Sequence, residues 1–261
     1  GRMSMKEINV IGTMQLLAAC QKSPSVSKLV VKSSTSIYGA GPKDPAMFTE
    51  EMEPKHTPGS GWAKDSVEVE SYVRGFARRR PDVSVTTLRF ANFLGPRVET
   101  PMSSYFELPV IPTLLGHDAR LQFIHEDDGL EALRQATIDE HPGMFNVAGD
   151  GIILLTQAAR RAGRPTISLP ASSAGLVGAI IRRLGLADFS PEQVRFLTYG
   201  RGVDTTRMRT VFGFTPQHTT PETFDAFVRS RRLNRMLPPE RVEAVEEQLV
   251  SLLTGRGVVN G

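Results

Sequence analysis

Apolar side chains recur at helical spacing near the start of the chain. Ile8, Ile11, Met14, Leu16, Leu17 and Cys20 predict an amphipathic helix over 4–21. A β-branched run follows, Lys28-Leu-Val-Val-Lys-Ser-Ser34. It ends in small residues, as a buried parallel strand does when it delivers a loop to a crevice. Repeated Gly and Pro over 35–61 break both periods. Val67, Val69, Tyr72, Val73 and Phe76 then restore a helix over 63–80, which Pro81 ends. The next strand spans 83–90. Strand, helix and strand in this order form a βαβ unit, whose right-handed crossover implies a parallel sheet with helices on its faces. Residues 91–118, with four Pro, read as loop. After them come a strand over 121–125, a helix over 127–139 and a strand over 143–147. The last amphipathic helix, over 238–254, carries Val242, Val245, Leu249, Leu252 and Leu253. The fold class is α/β.

Composition narrows this picture. A chain of 261 residues makes one large domain or two small ones. With 40% hydrophobic and 23% charged residues it is neither disordered nor fibrous. One cysteine, Cys20, excludes an internal disulfide and offers no metal-ligand spacing, so no metal site is expected. A net charge of +3 is far from the dense basic field of a nucleic-acid binder. No apolar run is long enough to span a membrane, and a cytoplasmic location is the simplest expectation. The chain opens on Gly1 rather than Met, and the natural start is expected upstream.

An open parallel α/β sheet calls for a Gly-rich turn that cradles a dinucleotide pyrophosphate. None of the five GxG triplets, at 39–41, 59–61, 149–151, 200–202 and 255–257, has the third glycine at the right offset after a strand. No GxxxxGK[ST] loop is present either. The remaining motifs nevertheless have a consistent order. Asn9-Val-Ile-Gly-Thr-Met-Gln-Leu-Leu-Ala-Ala19 precedes Val30-Val-Lys-Ser-Ser-Thr-Ser-Ile-Tyr-Gly39. Leu88-Arg-Phe-Ala-Asn-Phe-Leu-Gly-Pro-Arg97, Phe123-Ile-His-Glu-Asp-Asp128 and Phe145-Asn-Val-Ala-Gly149 follow. Asp204-Thr-Thr-Arg207 and Gly213-Phe-Thr-Pro216 close the series. Together, over about 3–228, these resemble the extended short-chain dehydrogenase/reductase superfamily, NAD-dependent epimerase/dehydratase type. The run from Trp62 to Pro81 resembles an actinobacterial subgroup labelled UDP-glucose 4-epimerase-like.

The resemblance implies a Rossmann-type parallel sheet whose N-terminal strands and Gly-rich loop are not in this chain, with a smaller C-terminal substrate-binding region. Residues 1–95 would form the later part of an NAD(P)-binding domain, with the strand over 143–147 returning to its sheet. Residues 96–235 would be mainly substrate-binding, and 236–261 a terminal helix and tail. It also implies NAD or NADP lying against the strand ends at Ser33, Ser34 and Phe90. A nucleotide sugar would be met by Asn92, and by Arg120, which lies one residue from the family's diphosphate arginine. A homodimer would form through the helices over 4–21 and 63–80.

The family's chemistry uses a tyrosine, activated by a lysine four residues on, to take a hydroxyl proton. Ser34 matches the serine that orients that hydroxyl. The tyrosine and lysine positions hold Trp62 and Ser66. Indole NH only donates, and a serine hydroxyl carries no charge. The residues four beyond Tyr38, Tyr72, Tyr105 and Tyr199 are Pro42, Phe76, Pro109 and Val203, so YxxxK occurs nowhere. Tyr38, in the turn after the strand, is the substitute acid/base candidate. Asp65 reads as a first-turn partner of the helix dipole, His125 as structural, and Asp127 and Asp128 as helix-opening carboxylates. Three readings stay open: an epimerase/dehydratase-like enzyme with altered chemistry, a non-catalytic NAD(P)- or nucleotide-metabolite-binding protein, and a dimeric interaction subunit.

Overall fold

Three parallel strands hold the molecule together, in the order β1 (Lys28–Ser34), β2 (Ser84–Phe90) and β7 (Gly143–Val147). The computed structural model describes residues 6–53, 58–170 and 191–233. The helix expected over 238–254, the tail over 236–261 and the first residues of the helix over 4–21 lie outside these or are described only in part.

Helix α1 (Gly12–Lys22) continues a π-helical stretch, Glu7–Ile11. It packs with α2 (Gly61–Arg79) on one sheet face, where Leu17, Val73, Phe76 and Val83 meet Leu29, Val31 and Val85. Strand alternation sends Leu88, Phe90, Phe145 and Val147 to the other face. There they pack on Ala132 and Ala136 of α4 (Glu126–Ile138), together with Met208, Phe212 and Phe214. Arg80, just past α2, donates to the carbonyls of Cys20, Ser23 and Val26, tying the α1–β1 turn to the helix end.

The 91–118 segment is more ordered than its prolines suggested. It contains β3 (Asn92–Leu94), α3 (Pro101–Phe106) and β4 (Ile111–Leu114). Pro101 opens α3 as a first-turn residue behind a Thr100–Ser103 capping box, where a missing N–H costs nothing. Pro112 lies in a two-stranded pair with β9 (Thr166–Leu169), at an edge that tolerates it.

The strand expected over 121–125 divides into β5 (Arg120–Leu121) and β6 (Phe123–His125). They pair with different partners, β8 (Ile153–Leu154) and β3. Between them Gln122 turns its amide inward, donating to the Gly149 carbonyl and accepting from Val203 N–H. Tyr105, Phe106, Phe123, Phe224 and Phe227 fill the core between these pairs, α5 (Leu155–Arg161), α6 (Pro191–Tyr199) and α8 (Thr220–Arg231). A short helix, α7 (Thr206–Thr210), packs Met208 against the sheet.

Candidate active site

Parallel strands present their C-terminal ends together, and here those ends carry two rows of opposite character. Register aligns Ser33 with Arg89 and Arg89 with Asn146, and one residue on aligns Ser34 with Phe90 and Phe90 with Val147. The first row faces α2. Ser33 Oγ donates to Glu70 Oε1, and Arg89 grips the same carboxylate through Nε (3.0 Å) and Nη2 (2.7 Å). Arg89 Nη1 also donates to the Tyr38 hydroxyl (2.8 Å), which in turn donates to Asn146 Oδ1 (2.8 Å). Asn146 N–H reaches Glu50 Oε1, and its side-chain amide donates to the Phe48 carbonyl. Burial disfavours the Arg89 charge, but the hydrogen bond and charge of Glu70 outweigh it and hold its pKa above the ordinary value. Burial pushes the Tyr38 and Glu50 pKa values up.

Two residues singled out by sequence therefore belong to this network. Ser33 points away from Ser34 because successive strand residues face opposite sides. Tyr38 is 1% exposed and stacks on Phe48 with ring centroids 4.8 Å apart. Its hydroxyl is both donating and accepting, and desolvation makes its proton harder to remove. Glu70, Arg89, Asn146 and Glu50 were missed by motif reading. The available signals were a charge inside the apolar Val85–Phe90 run and a carboxylate on the inner side of α2.

The second row faces the α4 side. Ser34 is half-buried, and its Oγ accepts from Ser36 N–H (3.1 Å), capping a 3-10 turn, Thr35–Tyr38, that Gly39 closes at φ 69°. Among the described residues the hydroxyl proton of Ser34 has no acceptor. Ser36 Oγ in the same turn is buried and has no partner among the described residues. Phe90 is buried in the core, its ring 5.0 Å from that of Phe93. Trp62, at the start of α2, is 41% exposed, and the Nζ of Lys32 lies 5.7 Å from its ring centroid and 5.3 Å from that of Phe93. Ser66 is buried and donates to the Trp62 carbonyl (2.9 Å), so it points back along its own helix. Asp65, expected in the first turn of α2, lies buried further in, because the helix begins at Gly61.

The substrate-side candidates lie beyond the strand ends. Asn92 is half-buried on β3, paired in register with Phe123. Arg120 directs Nη2 toward the Pro45 carbonyl (3.4 Å), and its backbone packs so tightly on Gly200 that a Cβ there would lie 2.2 Å from Arg120 N. Arg195 and Arg201 hold the same 39–45 loop, donating to the Ala40 and Gly39 carbonyls. Burial lowers the Arg201 pKa to about 10. A small cavity of about 50 Å³ opens between that loop, Glu192 and Arg195. Among the described residues no group of three His, Cys, Asp or Glu side chains is placed to hold a metal ion, and no helix is long and apolar enough to cross a membrane.

The model of the NAD dependent epimerase/dehydratase family matches residues 3–148. The chain belongs to this family. An uncharacterized protein of Mycobacterium tuberculosis (strain H37Rv) is 45% identical over 252 residues, covering 97% of this chain and 67% of the relative. A relative from Sinorhizobium fredii is 26% identical over 263 residues, 94% of this chain and 64% of its own length. Among solved structures, dTDP-glucose 4,6-dehydratase from Bacillus anthracis with NAD superposes with a TM-score of 0.66 at 17% identity, over 90% of this chain and 70% of that one. MoeE5 with UDP-glucose and NAD gives 0.63 at 21%, over 86% and 71%. UDP-glucose 4-epimerase from Thermotoga maritima with UDP-glucose gives 0.61 at 20%, over 87% and 70%. At these identities the epimerase/dehydratase structures share the fold: a Rossmann-like parallel sheet flanked by helices.

Proposed function

We propose that this chain carries the nicotinamide- and sugar-facing part of an NAD(P)-dependent epimerase/dehydratase-like protein acting on a nucleotide sugar. The observation that carries the reading is Ser34: at the C-terminal end of the parallel strand β1 its Oγ accepts from Ser36 N–H, and among the described residues its proton has no acceptor. That is where ligands bind in open α/β sheets. The residues present fit the nicotinamide end of the cofactor. Ser34 offers a polar contact and the half-exposed Trp62 ring a stacking surface. When bound, the cofactor would supply reversible hydride acceptance at the sugar carbon. Ser34 would hold the sugar hydroxyl, while Asn92 and Arg120 would meet the diphosphate. The family tyrosine and lysine are replaced by Trp62 and Ser66.

A second reading is binding without turnover, favoured by the Ser66 hydroxyl being spent on the Trp62 carbonyl. A third feature concerns assembly. Ile8, Ile11, Met14 and Leu16 on the first helical segment and Tyr72 on α2 are exposed, and a second copy of the chain would cover them.

Thermal unfolding with NAD and with UDP-glucose tests the reading. Stabilisation that grows with ligand concentration is the expected result. No shift with either ligand refutes it. Epimer or dehydration product from UDP- or dTDP-sugars then separates turnover from binding alone. If such turnover survives Ser34→Ala unchanged, the Ser34 assignment fails.

A further inference from the structure

Three hydrogen bonds in series run from the C-terminal part of the chain to Ser34. Arg201 Nη1 donates to the Gly39 carbonyl (2.6 Å), Gly39 N–H donates to the Ser36 carbonyl (3.0 Å), and Ser36 N–H donates to Ser34 Oγ (3.1 Å). Gly39 takes φ 69° at the middle of this series, a conformation that favours glycine. The guanidinium at its far end is firmly seated. Its carbon lies 4.9 Å from the Phe196 ring centroid, and Arg201 N–H donates to the Arg120 carbonyl (2.8 Å). Arg201 is 8% exposed. Among the described residues no carboxylate is in ion-pair contact with it, and Asp44 and Glu192 act on it as more distant charges. Burying a charge without a counter-ion is costly, and packing alone would be served as well by an apolar side chain. That cost points to a role outside packing, and the one hydrogen bond of the guanidinium among the described residues is its hold on Gly39.

We propose that Arg201 is a positioning residue of this site. Through Gly39 and Ser36 it fixes the turn that occupies an acceptor position of Ser34 Oγ, and so sets where the Ser34 proton points. The inference rests on the nucleotide-sugar reading above, in which Ser34 holds the sugar hydroxyl. Arg201 lies 162 positions along the chain from Gly39, beyond α6, and touches neither the sugar nor the cofactor in this account. Its effect on the ligand passes entirely through Ser34. The Tyr38 hydroxyl, bonded to Arg89 and Asn146, ties the same turn to the sheet, and Arg201 ties it to the C-terminal region. Ser34 thus meets the ligand with a direction that both parts of the molecule set.

Amide hydrogen exchange, read by NMR, tests the hold on the turn. In Arg201→Met the Ser36 and Gly39 amides should exchange about tenfold faster or more, with the β2 and β7 amides at parent rates. Arg201→Lys keeps a cationic donor and should recover part of the protection. Parent rates at Ser36 and Gly39 in Arg201→Met overturn the inference. So does acceleration of turn and strands alike in both variants, which would make Arg201 an anchor of the whole fold. Calorimetric titration tests the link to Ser34. UDP-glucose, added in the presence of NAD, should bind Arg201→Met about tenfold more weakly than the parent, and that loss should nearly vanish in a Ser34→Ala background. Losses that simply add overturn the inference, because a structural contribution does not act through Ser34. Equal affinity in parent and Arg201→Met, with the turn loosened, also overturns it and leaves the nucleotide-sugar reading standing. If the parent binds neither ligand, that reading fails, and the exchange rates alone decide whether Arg201 holds the turn.

Discussion

Arg89 sits in a strand whose pattern asks for an apolar side chain, and the structure shows what it does there. Its guanidinium joins Glu70, Tyr38 and the Glu50 carbonyl in a network closed off from water. A buried pair is costly to break, because the survivor keeps its charge without its partner. Arg89→Met should therefore destabilise the chain by about 3–5 kcal/mol in urea unfolding. Glu70→Leu combined with Arg89→Met should cost less than Arg89→Met alone. A double variant as unstable as the single would overturn this account.

His125 offers a second test at the same scale. Its Nδ1 accepts from Asp127 N–H, and its ring stacks on His218 with centroids 4.0 Å apart. Burial and then the His218 charge lower its pKa, outweighing Asp127, Asp128 and Glu126. The folded state thus binds the proton less readily than the unfolded chain, whose His titrates near 6.5. The stability this confers is complete above that value and is lost as pH falls through the folded pKa. Between about pH 7.5 and 5 the parent's stability should fall. His125→Asn, which can still cap α4, should flatten the decline. Glu50, raised by burial, works in the opposite sense, and the difference between parent and variant isolates His125.

At the scale of elements, periodicity located the long segments well. The strand read over 28–34 is β1, and the strand read over 143–147 is β7. The helix read over 63–80 begins two residues earlier and ends one earlier, at Gly61–Arg79. Short elements escaped because their signals are not periodic. Pro101 reads as a breaker unless Thr100 is recognised as its cap, and the break at Gln122 depends on Gly149 and Val203, distant in sequence.

Capping also yields a prediction. Thr219 accepts from Glu222 N–H while the Glu222 carboxylate takes the Thr219 N–H, a reciprocal pair at the start of α8. Thr219→Ala should cost about 1 kcal/mol, read as a shift in urea midpoint with unchanged slope. Gly129→Ala belongs to the same scale. The added methyl must displace the Phe93 ring, so a loss of about 1–3 kcal/mol is expected, with altered Trp62 fluorescence where Lys32 loses one wall. An unchanged emission spectrum would show that Phe93 does not set the surroundings of Lys32.

For the whole molecule, the first helical segment is the informative surface. Ile8 is 70% and Leu16 57% exposed, beside Ile11 and Met14. We propose that a second copy of the chain covers these side chains. Sedimentation should show a dimer that dissociates more readily in Ile8→Glu or Leu16→Glu. A parent that sediments as a monomer at every concentration would refute the assignment of a second copy.

The sequence by itself determined the α/β class, the central strands and the family, because these rest on local periodicity and on motifs read in order. It also placed Ser34 at a strand end and showed that YxxxK is absent. Only the tertiary structure decided which polar residues face which way. Side chains alternate sides at every strand residue, so Ser33 turns to the Glu70–Arg89 pair while Ser34 turns to the α4 side. The same alternation puts Lys32 beside Ser34, but its aromatic walls come from α2 and β3. Trp62 and Phe93 lie 30 and 61 positions along the chain from Lys32, and no pattern in sequence records that they meet.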